Sequence, residues 1–269
     1  MKVSITSDYA TSLGCPEPAL RRIADAGFTH VHWCHQWNTD FLYDDSEIRQ
    51  INTWLRDYGL KITDLHASDG VEKRWVSSRE YEREAGVALV ANRIAMVARL
   101  GSDVIIMHTG PEPDQRVDRE CFWTQLRKSL DQLQPVAREH GVRIAIENGL
   151  FPVITRLLGE YAPDYLGLCY DCGHGNLEPD GLDQLEQLRD RLISVHLHDN
   201  DGNSDQHLPP FTATVDWARL ASIMAHSAYR KPVSMESAMH HSGIENEGVF
   251  LAKCYDAGRR ITEMVAEAI

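Results

Sequence analysis

Short β-branched runs alternate with longer stretches of helical periodicity along almost the whole chain. Val3-Ser4-Ile5-Thr6 reads as a first strand, and Pro16 to Ala26 as a helix with proline near its start and Gly27 past its end. His30-Val31-His32-Trp33 gives a second strand. After Asp44-Asp45-Ser46, the residues Ile48, Ile51, Leu55 and Tyr58 keep helical spacing, and Gly59 ends the run. The unit then repeats. Strands are expected at Leu60 to His66, Asp103 to His108, Val142 to Glu147, Tyr165 to Asp171, Ile193 to His198 and Pro232 to Glu236. Helices are expected near 78–100, through Phe122, Leu126, Leu130, Leu133 and Ala137, and near 152–160, 181–190, 215–227 and 246–267.

Eight strand–helix units in 269 residues predict an α/β fold, a single (β/α)8 TIM barrel spanning 1–269 as one domain. A doubly wound open sheet would call for a Gly-rich phosphate turn after an early strand, and no G-x-G-x-x-G run is present. Nor does any linker or low-complexity segment divide the chain.

Composition narrows the class. The chain is 43% hydrophobic and 25% charged, too apolar for disorder. Its mean hydropathy is -0.36, and no apolar run reaches the roughly 18–20 residues of a membrane helix. The N-terminus turns polar before a signal-peptide core develops, so a soluble, cytoplasmic protein is expected. A net charge of -13 opposes long-range attraction to a nucleic-acid backbone. The six cysteines are too sparse for a disulfide scaffold. Cys169-x-x-Cys172 has no second pair and projects to opposite faces of a strand, so both thiols are expected to be structural and reduced.

Chemistry concentrates at the strand ends. His66, His108, Glu147, Asp171 and Glu236 close five successive or neighbouring strands, and His196 falls near the end of the seventh. In a barrel these ends converge on one face, where active sites of this architecture lie. A carboxylate at a strand end more often caps the next helix, and a histidine after Ile106-Met107 more often lines a wall. Six ligand-type residues on six strand ends outweigh those readings taken singly. Mixed carboxylate and imidazole donors without thiolate suit Mn²⁺, Zn²⁺, Co²⁺ or Mg²⁺.

A second set lies just beyond. His174 follows Asp171 by one short turn, His196 and His198 share a strand face, and Asp205-Gln206-His207 sits in a Gly-, Asn- and Pro-containing loop read as an active-site lid. Asp199 and Asn200 are read as turn residues. Trp37 and Phe41, beyond the second strand, would cover the site or form a contact between copies of the chain in a homo-oligomer. Trp33 and Trp75 are compatible with plain packing.

Ile146-Glu147-Asn148, Asp171-Cys172-Gly173-His174, His196-Leu197-His198-Asp199-Asn200, Asp205-Gln206-His207-Leu208-Pro209-Pro210 and Met235-Glu236 together resemble the xylose isomerase-like barrels. These include sugar and sugar-phosphate isomerases and epimerases and the endonuclease IV-type repair enzymes. The resemblance implies one divalent ion held by Glu147, Asp171, His196 and Glu236, with the two glutamates as acid/base pair. It also implies additional ions, two or three in all, if His66, His108, His174, Asp205 and His207 ligate as in the endonuclease IV-like members, with Glu147 bridging.

Three functions compete. The first is a metal-dependent isomerase or epimerase of a sugar, sugar phosphate or keto-polyol, working by proton transfer through an enediolate, with His66, His108 and His174 binding substrate. The second is a multi-zinc phosphoesterase resembling endonuclease IV. Against it stand the charge and Asp69-Gly70, where the repair enzymes carry an aromatic probe; the Lys73-Arg74 pair is read as a solvated helix start. The third is a metal-binding barrel without catalysis, disfavoured by the intact Glu147 and Glu236. Ketose 3-epimerases carry an arginine near the position of Gly202 and a second glutamate near Phe151-Pro152-Val153. Neither is present, and hydroxypyruvate isomerases differ at His196, so the substrate stays unnamed.

Overall fold

The computed structural model describes residues 2–269. Eight parallel strands run β1 Val3–Thr6, β2 His30–Trp33, β3 Lys61–His66, β4 Val104–Met107, β5 Arg143–Glu147, β6 Leu166–Asp171, β7 Leu192–His196 and β8 Val233–Met235. They pair in the order β7-β6-β5-β4-β3-β2-β1-β8. The ring closes between β7 and β8, where Leu197 N–H donates to Ser234 C=O at 2.9 Å and Glu236 N–H to Leu197 C=O at 3.0 Å. The result is the expected single (β/α)8 barrel.

Helices α1 Glu17–Asp25, α2 Asp45–Asp57, α3 Glu80–Arg99, α4 Arg116–His140, α5 Phe151–Glu160, α6 Cys172–Asn176, α7 Gly181–Leu188, α8 Trp217–Ala225 and α9 Glu247–Glu267 wrap the outside. Their ends follow local chemistry. Asp44 and Glu47 form a reciprocal capping box on α2, and Gly141 closes α4 in the left-handed region at φ 64°. Strand limits are shorter than the sequence suggests. His108 and Glu236 lie one residue past β4 and β8, and His198 two past β7, on chain that leaves the barrel while still pointing over its mouth. None of the helices among the described residues is long and apolar enough to cross a membrane.

Most of the apolar core lies between strands and helices, as burial of one face of each helix requires. Inside the barrel the filling is uneven. Val104, Ile106, Ala145, Cys169 and Ile193 make a small apolar cluster, whereas Ser4, His32, Asp64, Ser194 and Ser234 are buried polar groups. The polar part carries an unbroken chain: the Ser194 hydroxyl donates to Asp64, and Asp64 Oδ1 lies 2.6 Å from His32 Nδ1. All six cysteines are free, and the Cys172 thiol donates to His198 C=O at 3.0 Å.

Candidate metal centre

The strand ends bring Glu147, Asp171, His196 and Glu236 together. One donor atom from each lies within 4.8 Å of all the others, and all four residues are buried or nearly so. His196 Nδ1 is the hub. Glu236 Oε2 lies 2.9 Å from it, Glu147 Oε1 3.2 Å and Asp171 Oδ2 3.9 Å. Asn148 fixes the geometry beneath: its side chain donates to Asp171 C=O at 2.9 Å and accepts from Asp171 N–H at 2.6 Å, tying the ends of β5 and β6. The other Asp171 oxygen accepts from His174 N–H at 2.7 Å and caps α6.

Two further groups adjoin this set. His108 Nε2 lies 3.3 Å and His66 Nε2 3.7 Å from Glu147 Oε2, the oxygen turned away from His196. On the other side Asp205 Oδ2 lies 3.0 Å from His207 Nε2 and 3.2 Å from His174 Nε2. His207 reaches this place through a left-handed backbone, φ 48°, uncommon for a residue with a Cβ. It is locked there by its Nδ1 on Glu236 C=O at 2.8 Å and by Ala238 N–H donating to its carbonyl at 2.8 Å. All nine residues singled out at strand ends and in the loop therefore surround one mouth.

The electrostatics follow from crowding. Burial alone would push the Glu147 and Asp171 carboxyls up, but His108 and His196 hold Glu147, and His174 and His198 hold Asp171, well below the usual carboxylate range. Burial likewise opposes charge on the imidazoles, yet Asp171 and Asp205 drive His174 up to about 11, and Asp205 and Glu236 drive His207 up to about 10. His108 goes the other way, lowered by burial and by the neighbouring His66 and His174. Three carboxylates converge on one imidazole nitrogen at the hub, and the imidazoles of His66, His174 and His207, held protonated by these and by Asp205, offset their charge.

A divalent cation could take the place of those protons among the carboxylates. Glu147 Oε2, the oxygen that faces His66 and His108, is buried with no hydrogen-bond partner among the described residues. Buried polar atoms without partners are uncommon and call for one. The donor set of three carboxylates and one imidazole, closely spaced, could hold one divalent ion of the hard to borderline kind.

Several residues emerge only in three dimensions. His198 is fully buried, with Nε2 3.0 Å from both Asp171 oxygens and its ring stacked on His207 at 3.9 Å. A Cβ at Gly173 would overlap the His198 ring, so that glycine is required for the close approach. The spacing of His196 and His198 signals this position, although helping to orient Asp171 is not legible from it. His32 and Asp64 were equally hidden, and a charged residue in mid-strand is the only hint of them. Trp37 settles on the site: its ring centroid lies 4.6 Å from His66 and 6.2 Å from His108. Phe41 packs edge-on to Tyr43 at 5.0 Å, and Trp33 and Trp75 are core.

The expected lid is pinned. Asp199, fully buried, accepts from Asn200 N–H and Val215 N–H at 3.0 Å, Thr212 N–H at 3.1 Å, Ala213 N–H at 3.0 Å and Trp217 Nε1–H at 3.1 Å. A two-bond bridge to Leu208 closes the neck of the loop. That backbone bridge and the His207 contacts to Glu236 and Ala238, rather than the carboxylate, hold the segment carrying Asp205 and His207.

Comparison with known proteins agrees with this architecture. An uncharacterized protein of Sinorhizobium fredii, y4fM, is 31% identical over 93% of this chain and 89% of its own length. A D-tagatose 3-epimerase-like protein superimposes with a TM-score of 0.81 at 19% identity, covering 99% of both chains. The 3-keto-D-glucoside 4-epimerase YcjR of E. coli superimposes at 0.76 with 18% identity, covering 97% of this chain and 99% of its own. The family model described as xylose isomerase-like TIM barrel matches residues 20–254. This chain belongs to the xylose isomerase-like TIM barrel family.

Proposed function

We propose that this chain is a divalent-metal-dependent isomerase or epimerase of a small hydroxy-carbonyl compound: a sugar, a sugar phosphate or a related keto-polyol. One observation carries the reading. Glu147 and Glu236 come from strands three places apart around the ring, yet their carboxylates meet at His196 Nδ1, 3.2 and 2.9 Å away. Two carboxylates approaching one point from different walls suit removal of a proton on one face of a carbon and its return on the other. The epimerases among the structurally similar proteins support the same class.

Glu147, Asp171, His196 and Glu236 would hold the ion, which when bound supplies Lewis-acid polarisation of a carbonyl oxygen. Glu147 would exchange a proton at the carbon beside that carbonyl, and Glu236 would do so from the opposite wall. His174, a quarter exposed and hydrogen-bonded through Nδ1 to Asn148 C=O at 2.9 Å, would grip a substrate hydroxyl, with His66 and His108 lining the far side. Trp37 would shield that side from water. The test is a panel of ketoses, aldoses and their phosphates incubated with metal-loaded protein in D2O. Deuterium gained at a carbon next to the carbonyl supports the proposal, whereas no exchange on any of them removes it.

A second reading is favoured by one specific feature, the completeness of the outer groups: His66 and His108 on Glu147 Oε2, and His174 and His207 on Asp205. With ions there as well, the site would suit a multi-zinc phosphoesterase. Metal content per chain separates the two, because one Mn²⁺, Co²⁺ or Mg²⁺ supports the isomerase and two or three Zn²⁺ the phosphoesterase. If the outer group ligates, His207→Ala is expected to lower the stoichiometry by one. Unchanged content returns Asp205 and His207 to a substrate or loop role.

Ion binding also has a thermal signature. A cation that binds only the folded chain, at about a hundredfold its Kd, contributes about 2.7 kcal/mol. For a chain of this size that corresponds to a Tm rise of roughly 5–10 °C. Scanning calorimetry with and without chelator measures it, and coincident transitions would count against a cation at the carboxylates.

A further inference from the structure

The turn that carries Trp37 is held from outside the barrel. Trp37 is half-buried, and its ring stands over His66 and His108 at centroid distances of 4.6 and 6.2 Å. It follows Gln36, whose backbone is left-handed at φ 61°. A residue with a Cβ keeps that conformation only where its surroundings hold it there. Arg93, on α3, reaches under the turn: its Nη2 donates to Phe41 C=O at 3.1 Å and to Gln36 C=O at 3.4 Å, and so bridges the residues that bracket Trp37. Beside it Asn92 clasps Tyr43, accepting from its N–H at 3.0 Å and donating to its C=O at 2.9 Å.

Arg93 is fully buried, its Nε has no hydrogen-bond partner and no carboxylate pairs with it among the described residues; its guanidinium carbon lies 4.3 Å from the centroid of the Tyr43 ring. Burial lowers it only to about 10, so it stays charged at neutral pH. Burying an unpaired charge costs the fold more than burying an apolar side chain of similar size. Most of its hydrogen bonds also have substitutes. Gln36 C=O accepts from the Thr39 hydroxyl at 3.0 Å, and Asn92 Oδ1, which takes Arg93 Nη1 at 2.9 Å, keeps the Tyr43 N–H. What depends on Arg93 is the placement of the turn. We propose that Arg93 is a positioning residue: by gripping Gln36 and Phe41 it sets the Trp37 ring over His66 and His108, and with it the wall on that side of the mouth.

The functional meaning of that wall rests on the reading of His66 and His108 as the substrate side of an isomerase, and the test has one arm that does not need it. Tryptophan emission of the full-length chain is titrated with acrylamide, and each protein is paired with its Trp37→Phe variant so that the share due to Trp37 is obtained by difference. In Arg93→Met, which fills similar space without donors, that share should become at least about twofold more quenchable as the turn loosens, while Tm stays within about 4 °C of the parent. Arg93→Lys keeps the charge without the planar fork and should fall between. On any substrate from the exchange panel, Arg93→Met should raise KM more than it lowers kcat, and should add no further loss to Trp37→Ala. Unchanged quenching of Trp37 in Arg93→Met makes Arg93 a support of the core and overturns the proposal, as do losses that add to those of Trp37→Ala. If Arg93→Met does not fold, Arg93→Lys is read by the same criterion. Increased quenching with no exchange on any substrate leaves the positioning standing and withdraws the isomerase reading instead.

Discussion

Glu147→Gln is expected to lower turnover by at least about 10²–10⁴-fold on any substrate the protein isomerises, with the barrel intact. Glutamine keeps the shape of the side chain but cannot accept the proton, and it places an amide beside His66, His108 and His196. Glu236→Gln should cost as much, from the opposite wall. The two variants are not equivalent, because each would leave one working base. A substrate deuterated at the reacting carbon should still lose its label in one variant while forming no epimer, and the face that loses it identifies the surviving base. Both variants also surrender one negative charge at the cluster, so turnover is compared at saturating metal. Full activity in either one withdraws the acid/base pair.

Asp199→Ala is expected to be among the most destabilising single changes in the chain. The carboxylate is fully buried and accepts five N–H donors, four of them from residues 212–217. Removing it leaves those donors without partners, and loss of one side of a buried charged network costs about 3–5 kcal/mol. The corresponding fall in Tm is roughly 6–20 °C. Asp199→Asn should fall between, since one oxygen still accepts while the amide nitrogen faces other donors. Thermal and urea unfolding of the three proteins give the order directly. A transition within one degree of the parent for Asp199→Ala would mean that the 212–217 segment holds itself without the carboxylate.

What the sequence reveals and what it hides have separate physical causes. The barrel is legible because each strand is a short β-branched run and each helix keeps its apolar stripe, both local patterns. Glu147, Asp171 and Glu236 are legible because ends of parallel strands share one face in this architecture. His32 and Asp64 are not. They are register partners only because the β2–β3 pairing shifts at a bulge between Val31 and His32, and nothing in the periodicity marks a bulge. The five-residue α6 is hidden too, since Cys172 to Asn176 includes two glycines and is too short to show a stripe. The loop after Asp199 reads as an active-site lid from its composition, whereas in the structure it is tied by the Asp199–Leu208 backbone pair and by His207 to Glu236 and Ala238, which stand just past β8, 29 residues or more further along the chain.

The ligand candidates stand on two kinds of footing. Glu147, Asp171 and His196 close strands whose removal would open the barrel, and Glu236 follows directly on β8. Asp205 and His207 ride on a loop that leaves and re-enters the fold at the Asp199–Leu208 bridge. Inheritance can act on these separately. Shortening or exchanging that loop would delete the outer pair in one event without touching a strand, and lengthening it elsewhere in the lineage would restore a different pair. The inner four would pass down unchanged while the loop samples new partners, which is how a single barrel can seed descendants with different appetites for metal and substrate.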